Sequence, residues 1–408
     1  MLALTLVSLA FSIRIINSIS LIMLVVVTII HHQRFKHFKK AFSNPYFLFC
    51  FFLFIIKAIG IFYSDHASEN IRQISNKGIW LAIPFFFCAN NELSAKTMSR
   101  LMIYFSASLL IVLLYCFFYA IFIFNKQHDP SVFFYHDFVR PFRHHAVLFS
   151  FYLFFCIIYW LEQGIWFLKT KKTYFLAGVL ITIFYCSIFL LSSKLVIALS
   201  LIYCLYVIIR KMIVSGAFLL LSISVFLFIV MASAVLLTNN PISNRFSDAV
   251  SGNSYLFKQE KFSPATYFNG VQLRLLIWRF TYEILEEKNA WIMGVSSGDA
   301  QFELNKKYAE ANVYLGDGIN DKKGYQVFNC HNVFLQTTLE SGLFGLVILL
   351  TLIAIFLAQA FFKRDSFAII FYIAILAFCF TESVLSSQYS ILLFMFFPLL
   401  SLNVRRVP

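Results

Sequence analysis

The sequence predicts an all-α polytopic membrane protein of about twelve transmembrane helices, with a large outward-facing loop domain before the tenth. Three observations carry this. Hydrophobic residues make up 60% of the 408 and charged residues only 13%, against about 25% charged in an ordinary soluble domain. Apolar runs approaching the roughly 20 residues that cross a bilayer recur along the chain, and backbone groups in lipid must bond within their own segment, which selects helices. The basic residues fall in alternate connections, the pattern produced when positive charge is kept on the cytoplasmic side.

The spans read as 2–13, 15–30, 46–64, 78–90, 101–124, 145–161, 174–191, 195–209, 212–237, 332–360, 366–381 and 388–403. The first apolar run lacks a basic leader and a small-residue cleavage site, so it reads as a retained helix. With the N-terminus in the cytoplasm, the inner connections carry Arg34, Lys36, Lys39 and Lys40; Lys96 and Arg100; Lys169, Lys171 and Lys172; Arg210 and Lys211; Lys363 and Arg364; and Arg405 and Arg406. Every inner connection is then basic and both termini are cytoplasmic. The net charge of +14 reads as attraction to anionic lipid headgroups, not to nucleic acid. Seven of the eight cysteines lie in apolar runs and only Cys330 is in a polar stretch, so neither a disulfide framework nor a metal site is expected. No cofactor is expected.

The chain divides into spans one to nine (1–237), a polar outer segment (238–331) and spans ten to twelve (332–408). The outer segment opens on Asn239, Asn240 and Pro241, holds a helical stretch from about Leu273 to Lys288, and then shows turn signals at Gly294, Gly298, Gly316, Gly318 and Gly324. Structureless loops of this length are rare, so a small folded cap is expected. A shorter outer loop, 125–144, holds His128, His136, Arg140, Arg143 and His144, with His145 at the edge of the next span.

Chemistry concentrates on the outer side. His331 stands where the long loop meets span ten, at the positive end of a helix that disfavours imidazolium. A neutral imidazole there can accept a proton from a hydroxyl. Asn332 can orient it or bond a sugar. Helical spacing brings Leu335 and Gly342 near the same face, while Ser341 and Gly345 form a small-xxx-small pair suited to close helix packing. Taken alone, His331 reads first as an interfacial residue capping a helix. The run His331-Asn332-x-x-Leu335, then Glu340-x-Gly342-x-x-Gly345, resembles the C-terminal signature of the O-antigen ligase and polymerase superfamily, whose members transfer lipid-linked glycans.

The resemblance extends over about residues 190–397. Arg274, Trp278 a turn later, and the turn Gly294-Val295-x-x-Gly298 are similar to the family's loop pattern. Arginine suits a diphosphate through its bidentate fork. Arg279, one turn on, is a further diphosphate candidate, or a salt-bridge partner of Glu283, Glu286 and Glu287. Lys194 follows Ser192-Ser193 in the turn between spans seven and eight, where the family carries an arginine. Lysine keeps the charge and loses the fork, and it also fits a snorkelling residue at a helix end. His145, with Phe149 and Ser150, resembles the histidine with which the family enters the next span; it and Arg143 are candidates to help bind phosphate or glycan, or form an interfacial belt. Thr381-Glu382-Ser383 resembles another family motif, with a carboxylate suited to orient Lys194 or Arg274; the basic residue that usually follows is replaced by Ser386-Ser387-Gln388.

What the resemblance implies is a GT-C-like membrane glycosyltransferase that needs no metal. The donor is a glycan on undecaprenyl diphosphate, the acceptor lipid A–core or a growing glycan, and the site faces the periplasm from the bacterial inner membrane. His331 would be the base, with Arg274 and Lys194 on the diphosphate and Asn332, Glu382, Arg143 and His145 in support. A polymerase shares the donor and differs in acceptor. A protein O-oligosaccharyltransferase, a glycolipid transporter and an assembly scaffold are the alternatives. A transporter predicts ionisable groups in several spans, whereas Lys57 stands nearly alone within one.

Overall fold

A computed structural model describes residues 1–30, 34–75, 77–90, 92–164, 170–215, 256–316 and 324–405. In chain order the helices are α1 (Leu2–Ala10), α2 (Arg14–Ile30), α3 (Arg34–Phe42), α4 (Pro45–Ile59), α5 (Ala67–Ser75), α6 (Ile79–Ala89), α7 (Ala95–Gln127), α8 (Tyr135–Phe138), α9 (Ala146–Glu162), α10 (Lys171–Leu190) and α11 (Lys194–Ser215). They are followed by α12 (Gly270–Glu287), α13 (Ala300–Glu310), α14 (Val333–Phe362), α15 (Ser366–Cys379) and α16 (Gln388–Leu402, with a π turn inside it). The only strand pairing among the described residues is a two-residue parallel contact, β1 (Leu93–Ser94) with β2 (Val404–Arg405).

Five of these helices are long and apolar enough to cross a membrane: α4 with the turn after it (Pro45–Phe62), α7, α10, α11 (Lys194–Ile213) and α14. Shorter apolar helices are α2, α9, α15 and α16. The protein is a helical membrane protein with several spans. Most of the predicted ninth span, 212–237, the loop start at 238–255, and Lys169, Gly318 and Arg406 lie outside the described residues.

Two expectations need correction. The break placed at Arg210–Lys211 does not exist: α11 runs unbroken to Ser215, because arginine and lysine are good helix formers and the first glycine is Gly216. Span ten is not one regular helix. Gly342 has φ 62° and ψ −165° inside α14, so Gly342 lies at a break and not on a continuous face with His331. Two helices also occupy connections read as plain loops. Basic α3 buries Ala41 on one side, and α5 is tied by Arg72 to Glu69 at 2.7 Å, an i,i+3 pair.

The chain forms two compact units that alternate along the sequence: Ser18–Ala95 with Gly252–Pro408 (and Met1), and Leu2–Asn17 with Lys96–Ser251. In the first, α4 packs on α14 and α6, and α15 packs on α14 and α16. Helix α4 starts well because Asn44 accepts from the Tyr46 N–H at 2.9 Å with Pro45 next to it, a preferred N-terminal arrangement. Helix α12 starts earlier than its apolar pattern suggests because Asn269 and Gln272 form a reciprocal capping box. Its inner face, Leu276, Ile277, Phe280 and Ile284, packs with Leu304 and Tyr308 of α13 and with Cys330 and Leu339. Each large side chain buried there contributes roughly 1.5–3 kcal/mol, which fixes α12 against the start of α14. In the second unit, α9 is buried almost throughout and packs on α10 and α11. Trp160 of α9 donates to Ser106 at 3.0 Å, and Glu162 accepts from Arg210 at 2.9 Å and Tyr203 at 3.1 Å.

Candidate active site

Helix α12 presents Arg274 and Trp278 one turn apart on one face. The Trp278 indole donates to the Cys330 carbonyl at 3.0 Å. Arg274 donates through Nη1 to the Gly270 carbonyl at 2.8 Å, through Nε to the Thr381 carbonyl at 3.1 Å, and through Nη2 to Glu382 Oε1 at 3.1 Å. The other oxygen of the same carboxylate, Oε2, lies 2.9 Å from His331 Nδ1. Glu382 thus bridges arginine and histidine. The three side chains keep 30% (Arg274), 26% (Glu382) and 20% (His331) of their surface open, so all remain reachable from outside the fold.

The carboxylate decides the histidine's tautomer. An ionised carboxylate only accepts, so Nδ1 carries the proton and Nε2 keeps its lone pair. Glu382 therefore orients Arg274, as its motif suggested, and also His331, which the sequence did not reveal. His331 itself has φ 44°, in the left-handed region sparsely used by residues other than glycine. Its N–H donates to Asn329 Oδ1 at 3.0 Å, and its ring packs by Phe328 at 5.4 Å between centroids.

Asn332, not His331, caps α14. Its side chain accepts from the Phe334 and Leu335 N–H groups at 2.9 and 3.1 Å, while its own N–H donates to Ser383 at 3.3 Å. His331 precedes the helix, outside its first turn. Arg279 is paired with Glu283 at 2.9 Å and donates to the Gln259 carbonyl at 2.7 Å. Lys194, Arg143 and His145 belong to the second unit. Lys194 opens α11 after Ser192 (φ 49°), Arg143 has φ 53°, and His145 precedes α9 with its ring 4.8 Å from that of His136.

The two glycine motifs interlock. In an unbroken helix the Leu343 N–H would donate to the Leu339 carbonyl. At the Gly342 break, the loop 291–295 takes both partners: Leu343 N–H donates to Trp291 O at 2.7 Å and Val295 N–H donates to Leu339 O at 2.8 Å. The buried Leu343 N–H and Leu339 carbonyl, which the break would otherwise orphan, are thereby paired. Close approach excludes side chains on both sides. A Cβ on Gly294 would lie 2.4 Å from Ser341 N, and one on Gly342 would lie 2.1 Å from Ile292 O.

Beneath this contact is a buried charge cluster. Glu340 is paired with Lys57 of α4 and with Lys77 at 3.4 Å, and accepts from Ser297 at 3.0 Å and Gln336 at 2.7 Å. Both ammonium groups lie over Trp80, at 5.4 and 5.5 Å from its ring centre, within cation–π range. The lone charge of span three therefore has its counter-charge 283 positions away. Next to it, Asp299 accepts from His66 Nδ1 at 2.6 Å, from the His66 and Asp65 N–H groups at 3.0 and 3.1 Å, and from Ser296 at 2.8 Å. Burial pushes this carboxyl up, and the hydrogen bonds from His66, Ser296, Ser64 and Asp65 outweigh it, leaving it below its ordinary 3.8. A depressed folded value means the stabilisation is complete above about 3.8 and is lost as pH falls through the lower folded value. Asp299→Asn is expected to lower the melting temperature at pH 7 and to reduce the difference between melts at pH 7 and pH 3; an unchanged difference would remove Asp299 from that role. Cys330 is buried beside Thr281, and burial pushes its thiol up to about 12, so it is a structural thiol and not a nucleophile.

A helical membrane protein that couples a histidine, a carboxylate and an arginine at the start of one of its spans has the parts of a proton-transferring group-transfer site. Residues 176–350 match the family described as O-antigen ligase, the family that the His-Asn and Arg-Trp motifs resemble. No curated protein matches the chain. The matched segment contains Lys194, Arg274, His331 and Asn332; Glu382 lies beyond it.

Proposed function

We propose that the protein transfers a glycan from undecaprenyl diphosphate to an acceptor hydroxyl at the periplasmic face of the inner membrane, with lipid A–core as acceptor. The observation that carries this reading is the Glu382 carboxylate bridging His331 and Arg274. His331 Nε2 accepts the proton of the acceptor hydroxyl as its oxygen attacks the anomeric carbon. The bond from that carbon to the diphosphate oxygen breaks, the configuration inverts, and undecaprenyl diphosphate departs with the bonding electrons. Arg274 retains N–H donors beyond the three it has engaged, and these stabilise the charge growing on the leaving group. Lys194 enters as a second cation on the diphosphate, from the family resemblance alone. His145 enters as a supporting group on the same ground, and Arg143 as a basic residue of the same outer loop. Both termini are cytoplasmic in this reading.

A strain lacking the protein, complemented with wild type or variants, tests it. Loss of the whole lipid A-linked ladder with polymer accumulating on the lipid carrier means ligase. A single repeat on lipid A means polymerase, the alternative with the same donor. A normal pattern with His331→Ala would defeat both. In purified protein, Glu382→Gln is expected to lower kcat by about 10²-fold, at the low end of a general-base contribution, because the amide no longer enforces the tautomer. Arg274→Ala is expected to abolish most transfer while Arg279→Ala stays within about twofold, because Arg279 is engaged locally by Glu283 and the Gln259 carbonyl; equal losses would place Arg279 on the donor instead.

A further inference from the structure

We infer that Gln336 and Glu340 are positioning residues for His331, anchored by the buried lysines Lys57 and Lys77. The inference rests on the reading of His331 as base. It is carried by an unbroken chain of bonds that starts in the membrane body and ends on the residue preceding the histidine. Lys57 and Lys77 hold Glu340 Oε2, to which Ser297 also donates at 3.0 Å. The other oxygen, Oε1, accepts from Gln336 Nε2 at 2.7 Å. That bond leaves Gln336 Oε1 pointing the other way, and it accepts the Cys330 N–H at 3.0 Å. The Cys330 carbonyl is in turn held by Trp278 at 3.0 Å. Both polar groups of the residue before His331 are thus fixed by side chains, one from α14 and one from α12.

The left-handed backbone explains why such fixing matters. A non-glycine residue at φ 44° persists only where its surroundings over-determine it. If the Cys330 peptide were free to rotate, His331 would relax toward an ordinary conformation and its Nδ1 would leave Glu382. Glutamine is suited to the link because it accepts on one side and donates on the other. The two lysines fix which way it points: a carboxylate held by cations can only accept, so the Gln336 amide must turn its NH₂ toward Glu340 and its oxygen toward Cys330. Glu340 is buried at 8% exposure and Lys57 at 3%, so this orientation is set in a region of low dielectric, where a buried polar network stiffens its members.

The test uses purified full-length protein with a lipid-diphosphate glycan donor and a lipid A–core acceptor. Gln336→Met keeps the length and removes both hydrogen bonds. The expected result is a fall in kcat of about tenfold or more, KM values for donor and acceptor within about twofold of wild type, and a loss of melting temperature well short of that in Glu340→Gln, since only the Cys330 N–H and one oxygen of Glu340 lose a partner. Gln336→Glu keeps an acceptor for Cys330 and sets a like charge against Glu340, and is expected to lose kcat as well. Glu340→Gln strips the counter-charge from two buried lysines, so its loss of activity comes with a loss of fold, which is why Gln336→Met decides. Wild-type kcat in Gln336→Met, with His331→Ala inactive, overturns the positioning role and leaves the base reading intact. Full activity of His331→Ala overturns both. A fall in kcat that tracks the melting temperature across the variants assigns the residues to stability alone and also overturns the proposal.

Discussion

His331→Ala is expected to reduce transfer by about 10²–10⁴-fold, the range that a positioned general base contributes, with little change in melting temperature. The side chain is part exposed and bonds Glu382 at 2.9 Å. Its removal leaves that carboxylate still held by Arg274 at 3.1 Å, so no buried charge is orphaned. The effect should therefore appear in kcat, with donor KM nearly unchanged, because the diphosphate is held by cations and not by the imidazole. Alanine is a poor occupant of a φ 44° position, so His331→Asn provides the control. Asparagine adopts the left-handed region more readily than most residues, which keeps the backbone while removing the base. Both variants should fail alike. Recovery of activity in His331→Asn alone would mean that the position matters for its backbone, and the base would have to be sought elsewhere. By contrast, Asn332→Ala removes the cap of α14 and should cost about 1 kcal/mol of stability with a smaller loss of rate.

Hydropathy made the helices legible and left their breaks hidden. The apolar runs were plain because lipid demands them, and α12 was visible in its own amphipathic pattern. Ser341 and Gly345 inside a strongly apolar stretch read as helix-packing surface, and helical spacing puts Gly342 near the His331 face; only the loop 291–295, some fifty positions earlier in the chain, turns Gly342 into a break. The basic pair Arg210–Lys211 reads as a connection by charge, yet nothing in it stops a helix. The same division holds for the site. Arg274, His331 and Glu382 were each visible as motif residues. Their union was not, because Glu382 lies 51 positions from His331 and 108 from Arg274 and pattern carries no distance. Lys57 looked like a solitary intramembrane charge for the same reason. Intramembrane charges are costly enough to require a partner, and Glu340, already part of the motif, was the carboxylate to pair with it.

Gly342→Ala is expected to have the largest effect on folding. At φ 62° and ψ −165° the residue occupies a region that is essentially glycine-only, costing of order 1–3 kcal/mol in strain for any other residue. The added carbon would also lie 2.1 Å from Ile292 O and 2.5 Å from Met293 N. These are backbone atoms and cannot swing aside as a side chain would. Relief requires the loop to withdraw, which breaks the Leu343–Trp291 and Val295–Leu339 bonds and strands buried backbone groups at about 1–3 kcal/mol each. The alternative is closure of α14 into a regular helix, which restores the Leu343–Leu339 bond but pushes out the loop that brings Ser297 to Glu340. Either route costs several kcal/mol and should lower the melting temperature by about 10 °C or more, with transfer lost in parallel. Gly178→Ala, with nothing within 4 Å of the new carbon in α10, should leave both unchanged or gain slightly in helix propensity. Equal melting curves for Gly342→Ala and wild type would mean that α14 runs straight and that the loop 291–295 is not threaded into it.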